Sequence, residues 1–328
     1  MVKPKRILSG MRPTGPLHLG NYHGALKNWV SLQNTHECFF FIADWHALTS
    51  DYETPGAIQA NIRHMALDWL SVGLDPGECT FFVQSHIKEH AELFLLLSMV
   101  TPVPWLERNP TYKDQIVQLN SKDLSTFGFL GYPVLQAADI IIYKANAVPV
   151  GIDQVPHVEI TREIARRFNF LYGDVFPEPE SILTETPKIL GMDRRKMSKS
   201  YNNAIYLSDT PEIVADKVSK MITDPQRARR SDPGNPEECN VFEFHKQYSD
   251  AELVVRIDTE CRNAEIGCVE CKKLMAGHLN AALVPIREKR AYYEERPDLI
   301  VDIIEQGDKK ARQVAGATMS DARKAMKI

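Results

Sequence analysis

Short apolar runs alternate with amphipathic helical stretches as far as about residue 190, and this alternation constrains the fold of the 328-residue chain most. The runs Cys38–Ile42 and Cys79–Val83 are strand-like, and we expect both of their cysteines to be small buried hydrophobic residues. Apolar residues recur at helical spacing from Ile58 to Leu70, between these runs, and from Val158 to Phe168, after them. Strands that alternate with helices are typical of a parallel sheet with crossover helices. The sequence therefore predicts an α/β fold.

Beyond about residue 205 the pattern becomes mostly helical and rich in Lys, Arg and Glu. This change predicts two domains, an α/β domain over residues 1–205 and a helical domain over residues 206–328. A chain of 328 residues is long enough to bury a large core in such an arrangement.

Charge and hydropathy argue against several classes of protein. The formal net charge of -4 argues against a generally basic nucleic-acid coat, so a nucleic acid would have to meet local patches of Lys and Arg. The apolar run that follows Met1–Lys5 is too short for a signal peptide, and no segment has the roughly 20 apolar residues that span a membrane. We expect a cytoplasmic protein.

A turn-rich segment, Met11–Tyr22, joins the first strand-like run to a helix and contains His18-Leu19-Gly20-Asn21. A helix N-terminus presents unpaired N–H groups and the positive end of a dipole, which suits a phosphate. We expect His18 and Asn21 to donate hydrogen bonds to a triphosphate. Gly20 would let an adenine lie against bare backbone.

A second segment, Lys196–Ser200, reads Lys-Met-Ser-Lys-Ser and follows Arg194 and Arg195. Alone, such a basic loop is usually solvated surface. Beside a nucleotide site it predicts mobile cations that neutralise a departing pyrophosphate when a carboxylate attacks the α-phosphorus. This chemistry needs positioning and charge stabilisation rather than a covalent intermediate on a side chain.

Together the two segments resemble the HIGH and KMSKS motifs of class I aminoacyl-tRNA synthetases, and the chain resembles the bacterial tryptophanyl-tRNA synthetases over nearly its whole length. Further matching segments are Gly10–Gly15, Asp44–Ala47, Tyr132–Asp139, Val148–Gln154 and Thr161–Ala165. The resemblance implies a Rossmann-type catalytic domain, a helical anticodon-binding domain and a symmetric homodimer. It also implies a ligase that forms tryptophanyl-adenylate from tryptophan and ATP and then esterifies tRNA(Trp).

The resemblance further implies site residues. The catalytic residues would be His18, Asn21, Lys196 and Lys199. The residues that bind ATP, with Mg²⁺, would be Arg12, Pro13, Thr14, Gly20, Asn21, Gly151, Asp153, Lys196, Met197, Ser198 and Lys199. The residues that bind tryptophan would be His46, Tyr132, Gln136, Asp139, Val148, Val150 and Gln154. Among them, Asp139 would accept the indole N–H, and an analogue without that donor would leave a buried carboxylate unpaired.

Two positions depart from the family pattern. Gln136 stands where many tryptophanyl enzymes have Met, and Leu135-Gln136-Ala137 is also reminiscent of tyrosyl enzymes. Ile152 stands where the family usually has an acid. A tyrosyl-tRNA synthetase is therefore the main alternative, followed by a non-tRNA adenylyltransferase and an inactive tRNA-binding paralogue.

Four cysteines cluster in the second half with the spacing C-x21-C-x6-C-x2-C: Cys239, Cys261, Cys268 and Cys271. Four thiolates suit a structural zinc ion or an iron–sulfur cluster, and spacing alone favours zinc weakly. A subset of tryptophanyl-tRNA synthetases carries a [4Fe–4S] cluster on nearly this spacing, and the flanking residues also match. The resemblance therefore implies the cluster, with zinc as the alternative. The nearby basic residues Arg227, Arg229, Arg230, Lys272 and Lys273 are the best candidates for contacts with tRNA.

Overall fold

The computed structural model describes residues 5–113, 124–183 and 189–328. A parallel sheet in these ranges has the strand order β3-β2-β1-β4-β5. Its strands, β1 to β5, are Arg6–Met11, Glu37–Ile42, Cys79–Val83, Ala147–Val150 and Glu180–Leu183. The prediction of an α/β fold with a parallel sheet is confirmed.

The strands of the described residues are followed and covered by α-helices. In chain order these helices, α1 to α13, are Leu19–Asn21, Lys27–Leu32, Asp44–Asp51, Ile58–Val72, Glu89–Ser98, Val103–Glu107, Phe127–Ile142, Val155–Tyr172, Pro211–Ser219, Asn240–Tyr248, Ala251–Arg262, Cys268–Glu294 and Pro297–Met326. A π-helical turn, Tyr22–Leu26, joins α1 to α2. In the described residues, no helix is long and apolar enough to cross a membrane.

The sheet is buried on both faces. Phe40 and Phe81 lie side by side in register and pack into one apolar cluster, whereas Phe39 and Phe82 pack into another on the opposite face. Such continuous burial is expected when helices cover both sides of a parallel sheet. Cys38 and Cys79 are buried in β2 and β3, as predicted.

The two helices predicted from apolar spacing are confirmed as α4 and α8. Trp69 of α4 and Phe168 of α8 are completely buried, so each helix presents its predicted face to the sheet.

The final helix, α13, returns to the sheet and packs on β3. A side chain at Gly307 would collide with the carbonyl oxygen of Phe81, so only glycine permits this close approach. Next to it, Asp308 accepts a hydrogen bond from the N–H of Val83 at 3.1 Å and pairs with His86 at 2.6 Å. The last helix therefore covers the edge strand of the α/β core.

Candidate active site

A cavity of about 360 Å³ opens where β1 and β4 end. The two strands are neighbours in the sheet although the chain passes through β2 and β3 between them. At such a switch point the connections leave in opposite directions and open a crevice at the carboxyl ends of the strands. Met11 and Arg12 line the cavity from β1 and its end, and Val148 to Gly151 line it from β4.

His18 is the N-cap of α1 and forms a capping box with Asn21. Its Nδ1 accepts the N–H of Asn21 at 3.3 Å, and the side-chain oxygen of Asn21 accepts the N–H of His18 at 3.1 Å. Burial, and then the charge of Lys199, lowers the pKa of His18 to about 4. His18 is therefore neutral at pH 7, and with Nδ1 occupied as an acceptor its Nε2 carries the proton as a donor.

The backbone of Gly20 packs closely against the ring of His18 and the side chain of Met197. A Cβ at this position would lie 3.0 Å from the His18 ring and 3.4 Å from the Cβ of buried Met197. A larger residue would push the two predicted nucleotide segments apart, because His18 belongs to one and Met197 to the other.

Lys199 reaches across to the His18 segment. Its Nζ lies 3.4 Å from the hydroxyl of Thr14 and 3.3 Å from the position a Cβ would take on Gly15, whose φ is +122°. Burial lowers the pKa of Lys199 to about 8, while the charge of Asp68 acts in the opposite direction. The ammonium group is therefore poised beside the loop that leads into α1.

Backbone hydrogen bonds also join the two segments. Leu19 donates to the carbonyl of Ile205 at 3.0 Å, and Leu207 donates to the carbonyl of Leu17 at 2.9 Å. Between these bonds His18 and Tyr206 form an antiparallel bridge. The chain just after the basic loop is thus tied to the chain around His18.

Asn203 holds the basic loop in shape and was not predicted. Its amide donates to Asp193 at 2.7 Å and to the carbonyl of Lys196 at 3.2 Å, while its oxygen accepts the N–H of Ser198 at 2.8 Å. Lys196 itself is exposed. The loop therefore has a fixed base and an exposed lysine.

The residues expected to bind tryptophan come together at the cavity, except for one. Those that line it are His46, Tyr132, Gln136, Val148, Val150 and Gln154. Arg12 and Gly151, expected to bind ATP, line it as well. Thr14 and Asp153 are exposed and Pro13 is buried. The carbonyl of Asp153 accepts a hydrogen bond from Thr111.

Asp139 lies behind the cavity wall, completely buried. Its carboxylate accepts from His46 Nε2 at 2.7 Å, from His90 Nδ1 at 2.6 Å, and from the Gln84 amide at 2.8 and 2.9 Å. Burial by itself raises the pKa of Asp139, but the charges and hydrogen bonds of His46 and His90 outweigh burial and leave this pKa below its ordinary value. The carboxylate is therefore kept ionised, with His46 between it and the cavity.

A second series of hydrogen-bonded polar side chains also lines the cavity. The Tyr132 hydroxyl is 2.9 Å from His157 Nε2, and His157 Nδ1 is 2.9 Å from Gln154 Oε1. Burial, and then the charge of His46, lowers the pKa of His157 to about 4. Neutral His157 thus fixes the orientation of both Tyr132 and Gln154.

The four clustered cysteines lie near one another in the helical part of the chain. Burial raises the pKa of Cys271 most, and the neighbouring Cys239, Cys261 and Cys268 raise it further, to about 12. Arg227 Nη1 lies 3.8 Å from Cys261 Sγ and 4.0 Å from Cys268 Sγ. In the described part of the chain, no group of three or more His, Cys, Asp or Glu side chains is drawn together around a metal-ion position. The four sulfurs are therefore neighbours without converging on a single point.

Arg227 was expected to contact tRNA, but it faces the cysteines. Its Nη2 donates to the carbonyls of Arg230 and Ile266, both at 2.8 Å. Lys272 likewise donates to the carbonyl of Ser219 at 2.8 Å. Arg227 therefore stabilises the cysteine site rather than offering a free surface charge.

Comparison with known proteins gives a consistent result. Residues 2–284 match the family described as tRNA synthetases class I (W and Y). A tryptophan–tRNA ligase of Thermotoga maritima is 54% identical over 98% of this chain and 99% of its own length. One from Aquifex aeolicus is 48% identical over 98% of this chain and 100% of its own.

A solved structure is also similar over its full length. The tryptophanyl-tRNA synthetase of Campylobacter jejuni, in complex with ADP and tryptophan, has a TM-score of 0.91 and 34% identity. The similarity covers 98% of this chain and 100% of that one.

Proposed function

The chain belongs to the class I tRNA synthetases for tryptophan and tyrosine, and we propose that the cavity between β1 and β4 is where it joins tryptophan to ATP. The protein is a tryptophan–tRNA ligase, because tryptophanyl relatives match it at 48% and 54% identity from end to end. This full-length match favours tryptophan over the tyrosyl alternative. ATP drives the reaction.

The observation that carries the residue assignment is the approach of Lys199 to the His18 segment. Nζ of Lys199 lies 3.4 Å from Thr14 Oγ1, and Thr14 is two residues beyond Arg12, which lines the cavity with the residues expected to bind an amino acid. A triphosphate laid along this loop would meet a cation, neutral donors and backbone N–H groups. The amino acid would lie behind it in the cavity.

In the first step, an oxygen of the tryptophan carboxylate forms a bond to the α-phosphorus, and the bond from that phosphorus to the β-phosphate oxygen breaks. Pyrophosphate leaves with the displaced electron pair. We assign the stabilisation of its growing charge to Lys199 and Lys196, with His18 and Asn21 as donors. Mg²⁺ would be held mainly by the phosphates, as is usual for that ion.

We assign tryptophan selection to Asp139. The carboxylate is ionised and buried, and His46, Gln84 and His90 supply its hydrogen bonds. An incoming indole N–H would replace one of these donors, and His46 is the one that lines the cavity.

In the second step, a hydroxyl of the terminal ribose of tRNA attacks the acyl carbon and AMP leaves. A tRNA substrate also leads us to propose the cytoplasm as the site of action.

We propose that Cys239, Cys261, Cys268 and Cys271 hold a [4Fe–4S] cluster. The donor set is entirely thiol, and burial raises the pKa of Cys239 while nearby backbone groups of Phe242, Val241 and Asp224 act in the opposite direction. A zinc ion with bonds of about 2.3 Å would draw its four sulfurs closely together, whereas a cluster occupies the space between them. The choice of a cluster over zinc rests on the resemblance of the cysteine spacing and its flanking residues to the cluster-bearing synthetases, and the role of the cluster would be structural.

We also propose a homodimer formed through a helical apolar surface, which we define as Leu95, Met99, Val103, Phe127 and Phe170. All five side chains are more than half exposed, from 51% for Val103 to 88% for Phe170. They come from α5, α6, α7, α8 and the turn after α5, and α7 packs against both α5 and α8. An exposed apolar surface of this kind is typical of a protein interface, and a second copy would bury it.

Amino-acid-dependent exchange of pyrophosphate into ATP tests the function. The purified protein should catalyse exchange with tryptophan and esterify tRNA with it. Exchange with tyrosine alone would establish the tyrosyl alternative, and binding of tRNA without any exchange would establish an inactive paralogue.

A further inference from the structure

Asp68 is a buried acid that the reaction itself does not use. It lies in α4 between apolar neighbours and is 2% exposed. Its Oδ2 accepts the backbone N–H of Leu17 at 3.0 Å, and its Oδ1 pairs with the guanidinium of Arg290. Leu17 directly precedes His18, so this carboxylate holds the backbone immediately before His18.

The pair is well shielded from water. The side chain of Arg290 is 12% exposed and also donates to Glu294 at 3.0 Å. A buried carboxylate is costly unless it is paired and hydrogen-bonded. Arg290 meets that requirement and at the same time fixes the direction in which Asp68 presents Oδ2 to Leu17.

Arg290 lies on α12, and the same helix also holds the segment that is hydrogen-bonded to the chain around His18. Arg287, one turn earlier, donates from Nε to the carbonyl of Asp209 at 2.9 Å. Asp209 follows the chain at Ile205–Leu207 that is hydrogen-bonded to Leu17 and Leu19. One helix thus secures both strands of the bridge that contains His18.

We propose that Arg290 and Asp68 are positioning residues for ATP, which act through the Leu17 N–H on His18. They do not contact the nucleotide. They fix the position and orientation in which the His18 segment binds it. This inference rests on the proposed function, because it assumes that the His18 segment binds the triphosphate.

The test is equilibrium binding of ATP, together with KM values for ATP and tryptophan in pyrophosphate exchange. Arg290→Met should raise the Kd and KM for ATP by about tenfold or more and leave the KM for tryptophan within about twofold. Arg290→Lys should recover part of the loss. Arg323→Met is the matched control, since Arg323 pairs with Glu92 on the surface and should change neither constant.

The double variant Arg290→Met/Asp68→Asn separates positioning from stability. Removing both charges leaves no unpaired buried ion, so the free energy of unfolding should recover relative to Arg290→Met. The KM for ATP should stay raised, because nothing then fixes the acceptor of the Leu17 N–H. If the KM for ATP returned to the wild-type value along with stability, the pair would be purely structural and the proposal would be wrong.

An unchanged ATP Kd in folded Arg290→Met would also overturn the positioning role, while wild-type exchange with tryptophan would leave the proposed function standing. Absence of wild-type exchange together with absence of ATP binding would instead reject the proposed function itself.

Discussion

The ammonium group of Lys199 lies 3.4 Å from the hydroxyl of Thr14, which brings together two segments from opposite ends of the α/β sequence pattern. Thr14 belongs to the loop that follows β1, and Lys199 belongs to the loop that follows β5. Because the carboxyl ends of parallel strands meet at one edge of a sheet, segments that follow two different strands can come together there.

Lys199 should set the alkaline limit of ATP capture. Its pKa of about 8 means that the free enzyme loses this positive charge as the pH rises through 8. We expect kcat/KM for ATP to fall above that pH by up to about tenfold per pH unit. Lys199→Arg stays positively charged throughout this range, because an arginine side chain is effectively always protonated, so its profile should be flat from pH 7 to 9. If the alkaline fall in kcat/KM for ATP persisted unchanged in Lys199→Arg, the titrating group would be another residue.

Asp139 should discriminate tryptophan from an isostere in which sulfur replaces the indole N–H. The wild-type enzyme should reject this isostere by roughly 10⁴–10⁵ in kcat/KM, the range seen when a buried polar group is left unpaired and exemplified by the related tyrosyl enzyme. Asp139→Asn should lose most of that preference. Equal discrimination by both enzymes, measured by pyrophosphate exchange, would remove Asp139 from the selection of tryptophan.

Buried neutral histidines should make the protein acid-sensitive. The pKa of His157 is about 4 when folded and 6.5 in its ordinary state, so between these values the unfolded chain binds more protons. Stability should therefore be complete above pH 6.5 and fall as the pH drops toward 4, by about 2 kcal/mol at pH 5 for His157. Urea unfolding at pH 7.5 and pH 5 checks this. His157→Gln should lose less stability between the two pH values than the wild type, and an equal loss would contradict the assignment.

The cysteine site should hold iron when the protein is purified anaerobically. We expect a brown protein with about four irons per chain. Cys268→Ser should lose the colour and weaken tRNA charging far more than adenylate formation, whereas Cys38→Ala, which changes a cysteine of the sheet, should keep its iron. Equal losses of charging and exchange in Cys268→Ser would reject the modular role, and stoichiometric zinc without iron would favour the alternative metal.

Phe170→Asp should disrupt the proposed dimer, because it places a charge in the helical apolar surface. Sedimentation of the variant should give a monomer where the wild type gives a dimer. Val301→Asp is the matched control, since Val301 is a half-exposed apolar residue on α13, outside that surface. A dimer that survives Phe170→Asp would place the interface elsewhere.

The sequence predicted the sheet and its crossover helices well, because both depend on local patterns. Alternating apolar runs predict β2 and β3, and glycine and proline mark the turn before His18. The approach of Lys199 to Thr14 follows from the rule for parallel strands. The division at residue 205 and the residue roles remain predictions.

Long-range polar partners could not be predicted in this way. Asp68 is an acid within an apolar helical face, which signals that a partner is needed, but nothing local identifies Arg290. Gln84 and His90 reach Asp139 from separate elements, and Asn203 acts through backbone groups of its own loop. The return of α13 to β3 depends on Gly307, whose role is visible only beside Phe81.

A structure of the enzyme with bound tryptophan tests the central claim most directly. We predict the indole ring in the cavity between β1 and β4, with its nitrogen within about 3 Å of an oxygen of Asp139 and its carboxylate turned toward the loop shared by Thr14 and Lys199. An indole nitrogen that faces away from Asp139, or a tryptophan bound outside this cavity, would contradict the account.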